Sequence, residues 1–239
     1  MSVLEARAAV ARHGLLTAVR EVSLAVAKGE VLAVVGANGA GKTTLFRALA
    51  GVHPLSSGAV WLDGEDVTGL PAHMRLRRGI AMSPEGRRLF PDMTVRENLM
   101  IAGENGRKGA WTLDRVLVAF PQLVPLTGSL ATHLSGGQRQ AVAIARALMS
   151  NPKLLLLDEV SLGLSPAAIE GLYANLAALR AERDLAIILV EQDLDRAVSF
   201  SDRLICMLEG RIALEGRSSD LSRAAITEAY FGLTSPGEH

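Results

Sequence analysis

The chain has 239 residues, 49% hydrophobic and 21% charged, and its 25 basic residues balance 25 acidic ones at a formal net charge of zero. That length suits one compact α/β unit with room for an inserted lobe, and nothing in the charge balance argues for a broad nucleic-acid or anionic-membrane surface. A lone cysteine, Cys206, excludes an internal disulfide; inside RLICML it reads as a buried strand thiol.

In chain order, MSVLEARAAVARHG carries Glu5 and two arginines and no long apolar core, so it is not a secretion signal. The segment around Val22 to Val26 reads as a strand. VLAVV (31–35) is a β-branched strand that leads into a glycine loop and then TTLFRALAG, a short helix closed by Gly51. GAVWLDG (58–64) and GIAMS (79–83) are further strands. Residues 86–134 change character, with arginines, prolines, glycines and short helical pieces such as MTVRENLMIAG, so 86–150 is predicted as a helical insertion. The sheet resumes with LLLLD (154–158), AIILV (186–190) and RLICML (203–208), and Glu209-Gly210 turns the chain tightly into RIALEG. Strands alternating with helices predict a mostly parallel sheet. The polar tail TSPGEH reads as mobile. The longest aliphatic run, Leu154 to Leu157, is too short to cross a bilayer, so the chain is expected to be soluble by itself and cytoplasmic.

GANGAGKT, Gly36 to Thr43, fits G-x-x-x-x-G-K-[ST] with a strand before it and a helix after it. Glycines let backbone N–H groups wrap phosphates closely. The candidate nucleotide site takes in Gly36, Asn38, Gly39, Ala40, Gly41, Lys42, Thr43 and Thr44. Lys42 supplies a point charge toward the β- and γ-phosphates, and the Thr43 hydroxyl fits a Mg²⁺ ligand. A glycine turn with a chance lysine explains neither the full motif nor its context. LLLLDE adds an apolar strand ending in Asp158, which delivers a carboxylate to the sheet edge where ligands bind in open α/β folds. Asp158 is expected to hold Mg²⁺ directly or through water, and Glu159 to act as general base or water positioner.

LSGGQRQ (134–140) poses a puzzle. A serine and two glycines before the helical run QRQAVAIARALM make a second anion site of the kind found at helix N-termini, although one phosphate loop is already present. A plain N-cap serine with a glycine turn explains the helix start alone. Placed between a phosphate loop and an LLLLDE strand, this segment resembles the signature of ATP-binding-cassette (ABC) ATPases, and the resemblance covers nearly the whole chain.

The resemblance implies one α/β domain with a P-loop NTPase (RecA-like) core, an antiparallel β subdomain and an inserted helical subdomain. The core would comprise 1–85 and 151–239, and the helical subdomain with the signature 86–150. It also implies ATP and Mg²⁺ as cofactors and a head-to-tail dimer with a second ABC ATPase subunit, identical or different. In that dimer Ser135, Gly136, Gly137 and Gln138 would cap the γ-phosphate held by the partner. Glu159, Lys42 and Gln192 become the catalytic group, with Thr43, Asp158 and Glu85 at the metal.

Finer features resemble the ATP-binding subunit of bacterial branched-chain amino-acid importers. MSPEGRRLFPDMTVRENL puts Glu85 where most cassettes carry Gln, ILVEQD puts Gln192 where most carry His, and DEVSLGLSP has Ser165 where an Asp usually stands. Val160 departs from the usual proline. His13 stands where an adenine-stacking Tyr is common; a surface His before a turn is the other reading. The resemblance further implies two transmembrane permease subunits, a periplasmic or extracellular solute-binding protein, and peripheral attachment to the cytoplasmic face of the membrane. A urea, amide or other amino-acid importer, or a non-transport cassette, is the alternative. Against the last, the chain carries one set of motifs and no long coiled coil. The arginine clusters (Arg75, Arg77, Arg78, Arg87, Arg88) read as a solvated face or as carboxylate partners, and no nucleic-acid partner is expected.

Overall fold

The computed structural model describes residues 2–181 and 184–233, so the tail read as mobile lies outside the described residues. The chain opens with β1 (Ser2–His13), β2 (Leu16–Ala27) and β3 (Val31–Val35), followed by α1 (Lys42–Leu49), β4 (Ser57–Leu62), β5 (Glu65–Asp66), α2 (Ala72–Arg78) and β6 (Ile80–Ser83). Helices then dominate: α3 (Val95–Asn105), α4 (Leu113–Ala119), two 3₁₀ turns, and α5 (Gly136–Met149). The remainder alternates β7 (Leu154–Asp158), α6 (Pro166–Arg180), β8 (Ala186–Val190), α7 (Leu194–Phe200), β9 (Arg203–Leu208), β10 (Arg211–Arg217) and α8 (Arg223–Phe231).

Two sheets result. One is antiparallel in the order β2-β1-β4-β5; the other has six strands in the order β10-β9-β3-β8-β7-β6, parallel except for β10. β3, β7 and β8 are buried along their whole length, which is why they read as unbroken aliphatic runs rather than alternating ones. The fold is the α/β phosphate-loop architecture predicted, with an antiparallel sheet beside the main one.

β1 was not legible in the sequence. Its segment SVLEARAAVARH is alanine-rich and lacks clean alternation. Register shifts interrupt its pairing with both neighbours, and Ala8 sits at φ 45°, so the inward face changes phase along the strand. Pairing to β2 and β4, not local propensity, makes it extended.

Arg75 is a second correction. It is neither solvated nor paired to a carboxylate but 2% exposed. Its guanidinium donates to the carbonyls of Ala48 and Leu49 at 2.8 Å each, Thr68 at 2.7 Å and Leu70 at 3.0 Å. It therefore ties the last carbonyls of α1, the helix that begins at the phosphate loop, to the Thr68–Leu70 segment, with its positive charge at the helix C-terminus. Arg78, by contrast, pairs with Glu65 at 2.6 Å as the bland reading expects.

The helices between 95 and 149 share a core with the parallel sheet. Leu99, Val116, Phe120 and Ile144 pack in one cluster with Leu155, Leu157 and Leu189. Among the described residues, no helix is long and apolar enough to cross a membrane.

Candidate active site

Three strands set the geometry. β8 lies between β3 and β7, and Val190 of β8 is opposite both Val34 of β3 and Asp158 of β7. The phosphate loop, the residues after β8 and the β7 carboxylate therefore leave the sheet at one edge. The outer two strands are separated by two strand spacings, about 10 Å. That gap suits a polyphosphate lying across the carboxyl ends of the strands.

The loop itself is tightly constrained. A Cβ on Gly36 would lie 2.3 Å from the Met207 carbonyl oxygen, and one on Gly41 2.2 Å from that of Ala18. Both have positive φ, 146° and 101°. Glycine is thus demanded by neighbouring backbone as well as by conformation. Gly39, at φ 84°, has open space where a Cβ would stand. Gly210, in the β9–β10 turn, donates to Ala40 O at 3.0 Å and holds the loop from beneath.

Lys42 is 4% exposed and folds back over the loop, donating to Gly36 O at 2.7 Å and Ala37 O at 3.0 Å. Burial pulls its pKa down, opposed by Glu159, Asp158 and Cys206. Thr43 and Thr44 follow in the first turn of α1, partly exposed. Cys206 is buried as expected, and burial raises its thiol to about 11.

Asp158 is 1% exposed, and its Oδ1 has no hydrogen-bond partner. Burial, then the charges of Glu159 and Glu85, push it up to about 6 against the pull of Arg47 and Lys42. A buried carboxylate oxygen without a donor is costly unless a cation satisfies it. Among the described residues, no group of three or more His, Cys, Asp and Glu is arranged to hold a metal alone. Mg²⁺ bound through one or two carboxylates, phosphate oxygens and water needs no such cage, so the donor set fits it.

Glu159 sits at φ 48°, a region that costs a non-glycine residue about 1–3 kcal/mol. No hydrogen bond to protein holds its carboxylate among the described residues. Together with Gln192, Ser161 and Glu191 it lines a cavity of about 180 Å³. Glu85 is exposed two residues beyond β6, the neighbour of β7, close enough for its charge to act on Asp158. His13 is exposed, with Nε2 3.2 Å from Thr44 Oγ1 and its ring 4.5 Å from that of His53, so it stands at the rim of the loop.

The signature turn is built separately. Ser135 caps α5: its Oγ accepts the Gln138 N–H at 3.3 Å, and its own N–H donates to Gln138 Oε1 at 2.8 Å. This capping box uses the serine oxygen as an acceptor, and among the described residues no protein acceptor takes up its hydroxyl proton or the N–H groups of Gly136 and Gly137. A Cβ on Gly137 would meet Ala168 of α6 at 2.8 Å. Whereas Ala18, Met207 and Gly210 hem in the phosphate loop, the signature glycines abut Leu164, Ala168 and Arg87. Ser165, where most cassettes have Asp, caps α6 by accepting from Ala168 N at 3.4 Å. Val160 is buried.

Two residues gain a place here: Arg87, read from the sequence as solvated or paired to a carboxylate, is half-buried and donates to an amide instead, and Glu191 was not distinguished at all. Arg87 Nε donates to Gln140 Oε1 of α5 at 3.1 Å, linking the Glu85 segment to the signature helix. Glu191 is buried behind Gln192. A larger cavity of about 790 Å³, walled partly by Lys28, Asp63, Trp111 and Lys153, opens at the amino ends of the parallel strands and takes in no phosphate-loop residue.

A parallel sheet with a phosphate loop, a buried orphan carboxylate and a loose glutamate at one edge defines a P-loop nucleotide hydrolase, and the separate signature turn narrows that to a cassette ATPase. The sequence profile described as ABC transporter matches residues 19–161. The chain is 41% identical over 223 residues to the high-affinity branched-chain amino acid transport ATP-binding protein BraG of Pseudomonas aeruginosa, covering 92% of this chain and 95% of that one. To the probable branched-chain amino acid transport ATP-binding protein LivF of Archaeoglobus fulgidus it is 38% identical over 84% of this chain and 86% of that one. A crystal structure of an ATP-binding cassette of an ABC transporter in its ADP conformation superposes with a TM-score of 0.83 at 29% identity, covering 97% and 99% of the two chains. The chain belongs to the ABC transporter family. It is an ATP-binding and ATP-hydrolysing subunit, of a kind that works as a dimer with transmembrane permeases.

Proposed function

We propose that this chain powers uptake of branched-chain or related amino acids, as a peripheral ATPase on the cytoplasmic face of the membrane. Its partners would be a second ATPase subunit, two permease subunits and an external solute-binding protein. The observation that carries this reading is the 41% identity, spread over nearly both full lengths, to a protein named for that transport. In this reading 1–85 and 151–239 form the nucleotide-binding core and 86–150 the helical arm bearing the signature.

The reaction is phosphoryl transfer from ATP to water. Loop N–H groups from Gly36 to Thr44 hold the α- and β-phosphates, and Lys42 exchanges its backbone acceptors for phosphate oxygens. Asp158 and Thr43, with Glu85 beside them, would hold Mg²⁺, which would supply positive charge to offset that of the phosphates. Glu159 orients a water and takes its proton. Gln192 donates an amide N–H toward the γ-phosphate; unlike His, it cannot become cationic there. Ser135 to Gln138 offer a hydroxyl and N–H groups to the nucleotide of the partner, so the two phosphate sites of one chain serve two different nucleotides. His13 lies against the adenine.

The test is reconstitution of the chain with the permeases and binding protein that neighbour it in its genome, in vesicles loaded with ATP. Uptake of radiolabelled leucine, isoleucine or valine that stops with Glu159→Gln supports the reading. ATP-dependent uptake of another solute alone would replace the substrate, and failure of the chain to copurify with detergent-solubilised permease would remove transport.

A further inference from the structure

Glu191 follows β8 directly and is 2% exposed, yet nothing in the phosphate chemistry uses it. Its Oε1 accepts from Ser161 Oγ at 2.8 Å and from the backbone N–H groups of Gln192 at 3.0 Å and Asp193 at 3.2 Å. Its Oε2 accepts from Tyr173 OH at 2.6 Å and lies 2.8 Å from the same Ser161 Oγ. A carboxylate is the side chain able to accept from four such donors at once, because it carries two acceptor oxygens and no donor.

The donors come from three places. Ser161 is two residues past Glu159 in the turn after β7; Tyr173 is on α6; the two N–H groups belong to the turn that presents Gln192. Tyr173 is itself fixed by an edge-on contact with Phe200, ring centroids 5.3 Å apart. Burial first, and Glu191 second, push its hydroxyl far above the ordinary tyrosine range, so it stays a donor. A satisfied buried glutamate that only steadies the fold would have no reason to join the backbone of Gln192 to the turn carrying Glu159, two residues that line the same 180 Å³ cavity.

We infer that Glu191 is a positioning residue: it ties the Gln192 turn to the Glu159–Ser161 turn, so that the two groups facing the γ-phosphate are set as one unit. The inference rests on the roles proposed above for Glu159 and Gln192. Preorganisation of this kind matters because small misplacements of catalytic groups carry large rate costs.

The tie can be cut with little change of shape by Ser161→Ala, by Tyr173→Phe, and by Glu191→Gln, each measured in the assembled transporter with thermal unfolding as a control for folding. Ser161→Ala is expected to lower kcat for ATP about tenfold with KM for ATP unchanged, and Ser161→Thr to restore it. In a Gln192→Ala background the further loss from Ser161→Ala should shrink below about twofold, because residues acting as one unit are not additive. Should Glu191→Gln fail to fold, the two hydroxyl variants carry the test. A full tenfold loss that persists in the Gln192→Ala background, or unchanged kcat in Ser161→Ala and Tyr173→Phe alike, overturns the inference while leaving the site reading intact. Unchanged kcat in Gln192→Ala alone would instead remove Gln192 from the site, and the inference with it.

Discussion

Lys42 Nζ lies 2.7 Å from the carbonyl oxygen of Gly36, six residues back along the chain, so the ammonium closes the glycine loop on itself. The bond keeps a buried charge partnered. Lys42→Ala should weaken Mg²⁺-ATP binding by about tenfold to a hundredfold, the worth of a charge-assisted hydrogen bond. Titration with a fluorescent nucleotide checks this, and unchanged affinity in a folded variant would contradict the assignment of the loop.

Asp158 gives a pH dependence of unusual sign for an aspartate. Its pKa rises from the ordinary 3.8 to about 6 on folding, so the folded chain binds this proton more tightly than the unfolded one. Stability without nucleotide is therefore fully supported below 3.8 and declines as pH rises to about 6, then levels off. Asp158→Asn should stabilise the nucleotide-free subunit above pH 6 by up to about 3 kcal/mol, seen as a Tm higher by several degrees. It should also abolish the Mg²⁺ dependence of ATP binding. A Tm difference that does not vary between pH 4 and pH 8 would show that burial does not raise this carboxyl.

Glu159→Gln keeps the side chain's shape and removes its basicity. Hydrolysis should fall by on the order of 10²-fold or more, while ATP binding persists and an ATP-bound dimer accumulates. Single-turnover assays with gel filtration read both outcomes; near wild-type turnover would take Glu159 out of the mechanism.

His13 stands 3.2 Å from Thr44 Oγ1 and shares a ring contact with His53, which places it at the mouth of the phosphate loop rather than out on an unrelated surface. His13→Tyr should tighten ATP relative to a triphosphate lacking the base, by up to roughly 1–3 kcal/mol, the range of base–aromatic stacking. An equal response of the two ligands would move His13 away from the adenine.

Ser135→Arg breaks the capping box, at a cost of about 1 kcal/mol, and sets a long side chain on the outward face of the turn. Binding of ATP by the isolated subunit should survive, whereas ATP-driven dimerisation and hydrolysis at the composite site capped by this chain should be lost. Mixed complexes, with the variant signature opposite a wild-type phosphate loop, decide the matter. Loss of binding in the lone subunit would mean that the turn serves its own nucleotide or only the fold.

The legible features share one property: each demands something of the local backbone. Gly36 and Gly41 take φ of 146° and 101°, a backbone conformation that favours glycine, and Asp158 ends a strand too apolar to be anything but buried. The start of α5 was legible for the same reason, since Ser135 and Gln138 satisfy one another within four residues. Illegible features depend on partners distant in the chain. Arg75 looked like one member of a surface cluster, and only the arrival of Ala48 and Leu49, 27 and 26 residues away, makes it a buried cap.

Sequence by itself determined the family and the local motifs: a glycine loop between β3 and α1, a carboxylate pair at the end of β7, and a capped turn at the start of α5. Tertiary structure alone decided how these are held together. β8 enters between β3 and β7 only when the parallel sheet is assembled, and that order brings Gln192 and Glu191 between the phosphate loop and Asp158. The physical reason lies in the range of the forces. A turn or a cap is stabilised by hydrogen bonds within a few residues, so its sequence states its geometry. Strand order is set by burial of apolar faces shared among distant segments, and no short stretch of sequence specifies it.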